Sequence, residues 1–475
     1  MNYSDKGTVF GMKGVPDFED FYVNHMDVWR QIYGGYYPAW HRVGYKTVDG
    51  MSRERRMLSA GMAKALCAEL AGLTWNEKCL VEVYEKGKGT HGKNDRFNNF
   101  IEDVLLKNSF YTEMQDLVET AYAMGGGCVK VFFDEEIRLD YVPAHRFVPI
   151  SRECGTVVEG MFINHLEKDG KRYVLLESHL KSGSGYLIKN ELFESDFSGQ
   201  PGRQLDVSGL FPNLSEGVEI KGLKQPLFVY FRPNIANNIE DGSPLGISVF
   251  ANALDTLRAI DVCFDSLNRE FVLGKKRIIV PATAVRTVLD PSTKRMVRYF
   301  DVNDEVFQAM DFDENDSRVV DNSVELRVEE HIASINALLA ILAIQTGLTV
   351  GTLSISGSGG VKTATEIVTE NSKTYKTVKS HENVLSEAIY RLIDVIILVG
   401  RMYGLISFGA YESSVRFDET IIDNRDSELK RCISLVEAGL MSKYTAMVDV
   451  LAYTPTKAEE EIERIYKELG MSSEE

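Results

Sequence analysis

The stretch SVFANALDTLRAIDVCFDSLNREFVLG, Ser248 to Gly274, carries the clearest periodic signal in the chain. Phe250, Leu257, Phe264 and Phe271 recur every seven residues, and Ala253, Ile260 and Leu267 form a second row three positions on. Such spacing keeps one apolar seam along a helix, with Asp255, Arg258, Asp261, Asp265, Arg269 and Glu270 filling the other faces. A helix over Ser248–Leu273 would be roughly 35–40 Å long at about 1.5 Å per residue. Gly274 is suited to cap it, and Pro281 prevents simple continuation. On the pattern alone, a core helix of a large α/β enzyme and a long packing element are equally good readings.

The period changes after Gly274. Ile278-Ile279-Val280-Pro281, Arg298 to Val302 and Glu305 to Met310 read as short strands, joined by the turn chemistry of Asp290-Pro291-Ser292 and Asn303-Asp304. An insert this small cannot hold a large core alone, so it must lean on a partner or on copies of itself. A second helix is expected from Ser323, with Ser at the cap and Glu325 near the positive helix end. Its uncharged run from Ile332 to Thr346 is 15 residues and contains Asn336, short of a membrane span. A glycine- and serine-rich loop follows, from Gly347 to Lys362, and a third helix begins at Thr363-Ala364-Thr365-Glu366. The loop is a poor phosphate-binding loop, because Val361 stands where glycine should precede Lys362 and a helix, not a strand, leads into it. A mobile segment whose backbone and Lys362 face an anion fits better.

Taken together, PLGISVFANALDTLRAIDVCFDSLNREFVLGKKRIIVP from Pro244 and GGVKTATEIVTENSKTYKTVKSHENVLSEAI from Gly359 resemble the portal proteins of tailed bacteriophages, in particular those of siphophages of Gram-positive bacteria. RRMLSAGMAKALCAELAGLTWNE (Arg55–Glu77), YVPAHRFVPI (Tyr141–Ile150) and VRFDETIIDNRDSELKRCISLVEAGLMSKYTAMVDV (Val415–Val450) extend the likeness in the same order. The resemblance implies an α+β portal fold. Its parts would be a mixed α/β wing (1–245), stem helices at 246–273 and 323–347, and a β-rich clip at 274–322. A tunnel loop at 348–362, a long wing helix at 363–404 and a helical crown at 405–475 would complete it. It implies a homo-oligomeric ring, typically a dodecamer, at one capsid vertex of the virion, through which double-stranded DNA is packaged and ejected. Terminase, scaffold protein, major capsid protein and a head-completion adaptor are the implied partners, with assembly in the host cytoplasm, no cofactor and no catalytic or metal site.

Carried onto this chain, the tunnel-loop residues would be Thr349, Ser354, Ser356, Gly357, Ser358, Gly359, Gly360 and Lys362. The clip would present Lys275, Lys276, Arg277, Arg286, Arg295 and Arg298 for docking, and the stem would pack through Phe250, Leu257, Phe264, Phe271, Ile335 and Leu339.

Composition agrees with a conduit. With 53 basic and 70 acidic residues the formal charge is −17, unlike a sequence-specific DNA binder, whereas a mildly repulsive wall lets a duplex slide. The six cysteines form no C-x-x-C pair, and the eight histidines are scattered, with His145 and His165 expected in strands and His331 and His381 in helices. No secretory signal is evident, so reduced thiols are expected. The aromatic cluster Trp29, Tyr33, Tyr36, Tyr37 and Trp40 has few interleaved cations and suits packing better than base stacking. The glycines after Met124 suit a helix-to-strand turn, and the alternation from Gly155 to about Val229 an antiparallel sheet. The competing class is a DNA-packaging enzyme, a terminase-like ATPase or nuclease, supported by Asp134-Glu135 after an apolar run but lacking a Walker A loop.

Overall fold

The computed structural model describes residues 20–46, 50–86, 95–195, 201–212, 214–240, 243, 245–274, strands within 278–321, 325–353, 364–418, 425–449, 458 and 461–465. The chain opens with α1 (Asp20–Tyr33), the single turn α2 (Pro38–His41), the strands β1 (Arg42–Lys46) and β2 (Ser52–Arg56), and α3 (Met62–Thr74). Next come β3 (Leu80–Glu85), α4 (Arg96–Lys107), α5 (Phe110–Met124), β4 (Gly127–Asp134), β5 (Glu136–Pro143) and β6 (Phe147–Glu153). The long strands β7 (Thr156–Lys168), β8 (Lys171–Ser182) and β9 (Gly185–Ser195) precede β10 (Pro201–Leu205), the turn α6 (Val207–Leu210), β11 (Gly217–Lys221) and β12 (Phe228–Phe231). Then α7 (Leu254–Leu273), the insert strands β13 (Ile278–Pro281), β14 (Thr287–Leu289), β15 (Met296–Arg298), β16 (Phe307–Met310) and β17 (Val320–Asp321), and α8 (Val328–Thr346) follow. The chain closes with α9 (Ala364–Met402), β18 (Tyr411–Arg416), α10 (Arg425–Glu437) and α11 (Lys443–Asp449).

These elements pack as two units, one from the described parts of 1–23, 67–248 and 359–475, the other from those of 24–66 and 249–358. The larger unit is built on an antiparallel sheet of order β10-β9-β8-β7-β6, with β11 also paired to β9. The expected Ser182–Gly185 turn joins β8 to β9. Alternation buries both faces: Val174 and Leu176 join Met161, Ile163 and Phe193 in one cluster, while Tyr173 and Leu175 join Leu192 and Val207 in another. β12, expected at the end of this sheet, instead pairs with β4 in a separate sheet of order β12-β4-β5. His145 sits in a 3-10 turn, Ala144–Arg146, and not in a strand, whereas His165 lies in β7.

The expected helix-to-strand turn after Met124 has a steric basis. Gly125 caps α5 at φ +85°, its N–H donating to the Ala121 carbonyl. A Cβ there would lie 2.4 Å from the Gly246 carbonyl oxygen, so only glycine permits the two backbones to cross. Asp134 and Glu136 pair across the tight β4–β5 hairpin, with Glu135 at φ +59° between them, which makes that acidic pair a turn. Beneath β4, Lys130 Nζ reaches Glu177 at 2.8 Å and Asp140 at 3.4 Å, and His179 Nε2 bonds the other Glu177 oxygen at 2.8 Å. Desolvation would raise the Glu177 pKa, but the hydrogen bond from His179 and the charge of Lys130 outweigh it and hold it down to about 2.

The helix α9 runs unbroken over 39 residues. Leu385, Ile389, Leu392 and Ile396 form its buried stripe. β18 pairs antiparallel with β3, which stitches the C-terminal segment onto the N-terminal half of the same unit.

Candidate oligomer interface and channel segment

The smaller unit is organised by two antiparallel helices, α7 and α8. Their polarity follows from the packing at one end, where Arg327, just before α8, donates to Glu270 near the end of α7 (3.1 Å), and Leu326 lies against Gly274. Gly274 closes α7 as expected, its N–H bonding the Glu270 carbonyl, but at φ −77°. Space is what demands glycine there: a Cβ would meet Leu326 Cδ2 at 2.4 Å and the Glu270 oxygen at 2.5 Å. The helix begins at Leu254, not Ser248, after a 3-10 turn at Ala251–Ala253. The second helix likewise begins later than its Ser323 cap suggested, at Val328 after Arg327. Its end is a Schellman cap: Gly347 adopts φ +80°, the Leu348 N–H donates 2.8 Å to the Ala343 carbonyl, and Leu348 is fully buried.

Burial in α7 follows a stripe of Leu257, Asp261 and Asp265 at fourfold spacing, along with Ala253 and Ile260. Two carboxylates expected on a polar face are therefore inside. Asp261 accepts from Ala60 N (2.7 Å), Ser59 Oγ (3.1 Å) and His41 Nε2 (3.0 Å). Asp265 takes a two-pronged bond from Arg55, 2.9 and 2.8 Å, plus the Leu58 N–H at 3.1 Å. Burial alone would raise the Asp265 pKa, but Arg55 and the Leu58 amide more than offset it and keep the carboxyl below its ordinary value. These bonds tie segment 41–60 to α7. Nothing in the sequence signalled them, because the partners lie 220 and 210 residues apart. Trp29 is fully buried in this unit, in keeping with packing over base stacking.

Of the stem residues named from sequence, Phe250 ahead of α7, Leu257 on α7, and Ile335 and Leu339 on α8 are buried, whereas Phe264 and Phe271 are 37% and 49% exposed. On α8 the stripe Ile335, Leu339, Leu342, Ala343 and Thr346 faces inward, and a second stripe, Ala333, Ala337, Ile341 and Ile344, is exposed. This helix is long and apolar enough to cross a membrane by length and composition. Its partner α7 carries buried Asp261 and Asp265, a pairing made for a protein neighbour and not for lipid.

Of the tunnel-loop residues, Thr349 is buried ahead of a 3-10 turn, Val350–Leu353. Ser354, Ser356, Gly357, Ser358, Gly359, Gly360 and Lys362 lie outside the described residues. So do Lys275, Lys276, Arg277, Arg286 and Arg295 of the insert, while Arg298 ends β15. In the insert β13 pairs parallel with β16 and antiparallel with β17, and β14 with β15 form a separate hairpin. The insert's first strand, β13, thus lies between its last two, β16 and β17, which brings the end of the insert back to where the chain left α7.

The smaller unit is thus an antiparallel helix pair with a strand insert at one end and a glycine-capped helix leading into a 3-10 turn at the other. A family model described as phage portal protein, SPP1 Gp6-like, matches residues 20–475, nearly the whole chain. The chain belongs to the SPP1 Gp6-like phage portal proteins. A search of curated proteins gave no match. The portal protein is a non-enzymatic structural component of the virion, at the capsid vertex, that forms an oligomeric ring serving as a channel for DNA packaging.

Proposed function

We propose that the ring, a dodecamer, is held together at the stem by the apolar surface that a single chain leaves exposed on α7 and α8. Phe264, Phe271 and Val272 on α7 and Ile341 and Ile344 on α8 are each more than a third exposed, apolar side chains that the chain's own core leaves uncovered. Because each is already about half covered, burying the rest against a neighbouring copy would contribute about 1 kcal/mol per side chain. Residues 246–273 and 323–347 would be the stem, 274–322 the clip, and 348–362 the tunnel loop narrowing the channel. The wing would comprise 1–245 with 363–404, and the crown 405–475.

The clip cations Lys275, Lys276, Arg277, Arg286, Arg295 and Arg298 would dock the terminase during packaging and a head-completion adaptor afterwards. Scaffold and major capsid protein would receive the ring at the vertex, in the host cytoplasm. The exposed stripe on α8 carries this proposal, because it is an apolar helix face outside the chain's own core. The test is Ile341→Asp, with mass photometry and negative-stain microscopy. Wild type should give annular particles, and the variant a monomer with unchanged circular dichroism, since Ile341 is 45% exposed. Normal rings from the variant would overturn the stem assignment.

A further inference from the structure

The β1–β2 hairpin stands apart from the acidic chain that carries it. Residues 42–56 hold five cations, Arg42, Lys46, Arg53, Arg55 and Arg56, against Asp49 and Glu54, in a chain of net charge −17. Strand pairing sets Arg42 directly opposite Arg56 and Tyr45 opposite Arg53. Like charges facing each other across a ladder are destabilising. The arrangement is relieved only in part, by Glu54 accepting from Arg42 Nε at 2.5 Å and by the Arg56 guanidinium lying 5.0 Å over the Tyr36 ring. Arg53 and Arg55 lie on the opposite face from Arg42, Lys46 and Arg56, and Arg55 is committed to Asp265. Lys46, Arg53 and Arg56 remain exposed, beside Tyr45 at 44% exposure.

A two-stranded hairpin is marginal by itself. This one is fixed at both ends to α7, by His41 on Asp261 before β1 and by Arg55, Leu58, Ser59 and Ala60 on Asp261 and Asp265 around and after the end of β2. The clamp holds the facing pair Arg42 and Arg56, with Lys46 on the same face and Arg53 on the other, an arrangement that an arriving anion relieves. We propose that the β1–β2 hairpin binds the phosphate backbone of double-stranded DNA through Arg42, Lys46, Arg53 and Arg56. Four of the hairpin's five cations are arginine, whose planar fork matches phosphate oxygens. In a molecule whose overall field repels a duplex, a local basic hairpin sets where the duplex can touch. The site rests on the DNA-conduit function but does not depend on which helix faces close the ring.

The test is duplex binding by the full-length protein, read as fluorescence anisotropy of a short random-sequence DNA over a salt series. In Lys46→Gln/Arg53→Gln/Arg56→Gln, affinity at low salt should fall at least tenfold. The slope of log K against log salt should shrink by about 0.9 for each phosphate that is no longer neutralised. Lys171→Gln/Arg172→Gln/Lys189→Gln, which removes exposed cations from the larger unit, should bind like wild type. Amide hydrogen exchange across β1 and β2 checks that the hairpin stays folded. If the triple variant does not fold, Arg53→Gln alone should still lower the slope by about one. Equal binding by wild type and the hairpin variant overturns the proposal, as does equal loss in both triple variants. Lost rings with intact DNA affinity also overturn it, and would assign the hairpin to an acidic surface of a second copy. Wild type that binds DNA through the hairpin yet forms no annular particles would instead sink the ring interface and leave this site standing.

Discussion

His381 shows how one buried side chain can couple the long helix α9 to solution pH. The Asn234 amide donates to its Nδ1 at 3.0 Å, the Tyr122 ring packs 5.0 Å away, and burial lowers its pKa to about 4. The folded protein therefore keeps the ring neutral where the unfolded chain, with a pKa near 6.5, would take up a proton. Stability from this site is full above pH ~6.5 and falls as pH drops toward 4, by at most roughly 3 kcal/mol. His381→Gln, which retains an acceptor but does not titrate, should flatten urea-derived stability between pH 6.5 and 4, and an unchanged slope would place the acid sensitivity elsewhere. Asp261 and Asp265 show how charge read from sequence can mislead. Both occupy positions that look polar and solvent-facing on a heptad diagram, yet both are buried and satisfied by donors from segment 41–60.

At the level of elements, the caps were legible and the starts were not. Gly274 and Gly347 end their helices as expected, because a helix terminus needs a small or left-handed residue whatever it packs against. Neither helix starts at its expected residue: α7 begins after Ala253 and α8 after Arg327, and neither of these makes a side-chain cap bond. The seam of Phe250, Leu257, Phe264 and Phe271 diverges from the buried stripe because a straight helix drifts about 20° per heptad, and Asp261 and Asp265 follow fourfold spacing. Steric demand is sharper still at the α5–β4 junction. Gly125→Ala must relieve a 2.4 Å approach to the Gly246 oxygen and accept φ +85°, so it should cost more than about 2 kcal/mol in chemical denaturation. A neutral substitution there would mean the two backbones separate freely.

For the whole molecule, the portal assignment rests on the order of elements more than on any single motif. Gly357, Gly359 and Gly360 lie in the segment proposed as the tunnel loop, outside the described residues. Replacing all three with alanine should impair packaging in an infection assay while purified protein still forms rings; loss of the rings would show that the segment serves assembly. Ile341→Asp should have the converse effect, abolishing rings before packaging can be asked about.

By itself the sequence determined the helix–insert–helix–loop–helix order from 248 to 402, the antiparallel strands after 155 and the family, because periodicity, turn residues and glycine placement act over a few residues. Only the tertiary structure decided that segment 24–66 packs with α7 and α8, that two α7 carboxylates are interior, and that Phe264, Phe271 and Ile341 stay exposed. Those outcomes depend on partners 210 and 220 residues away, as in the Arg55–Asp265 and His41–Asp261 bonds, and no local spacing encodes which distant donor will reach a given carboxylate.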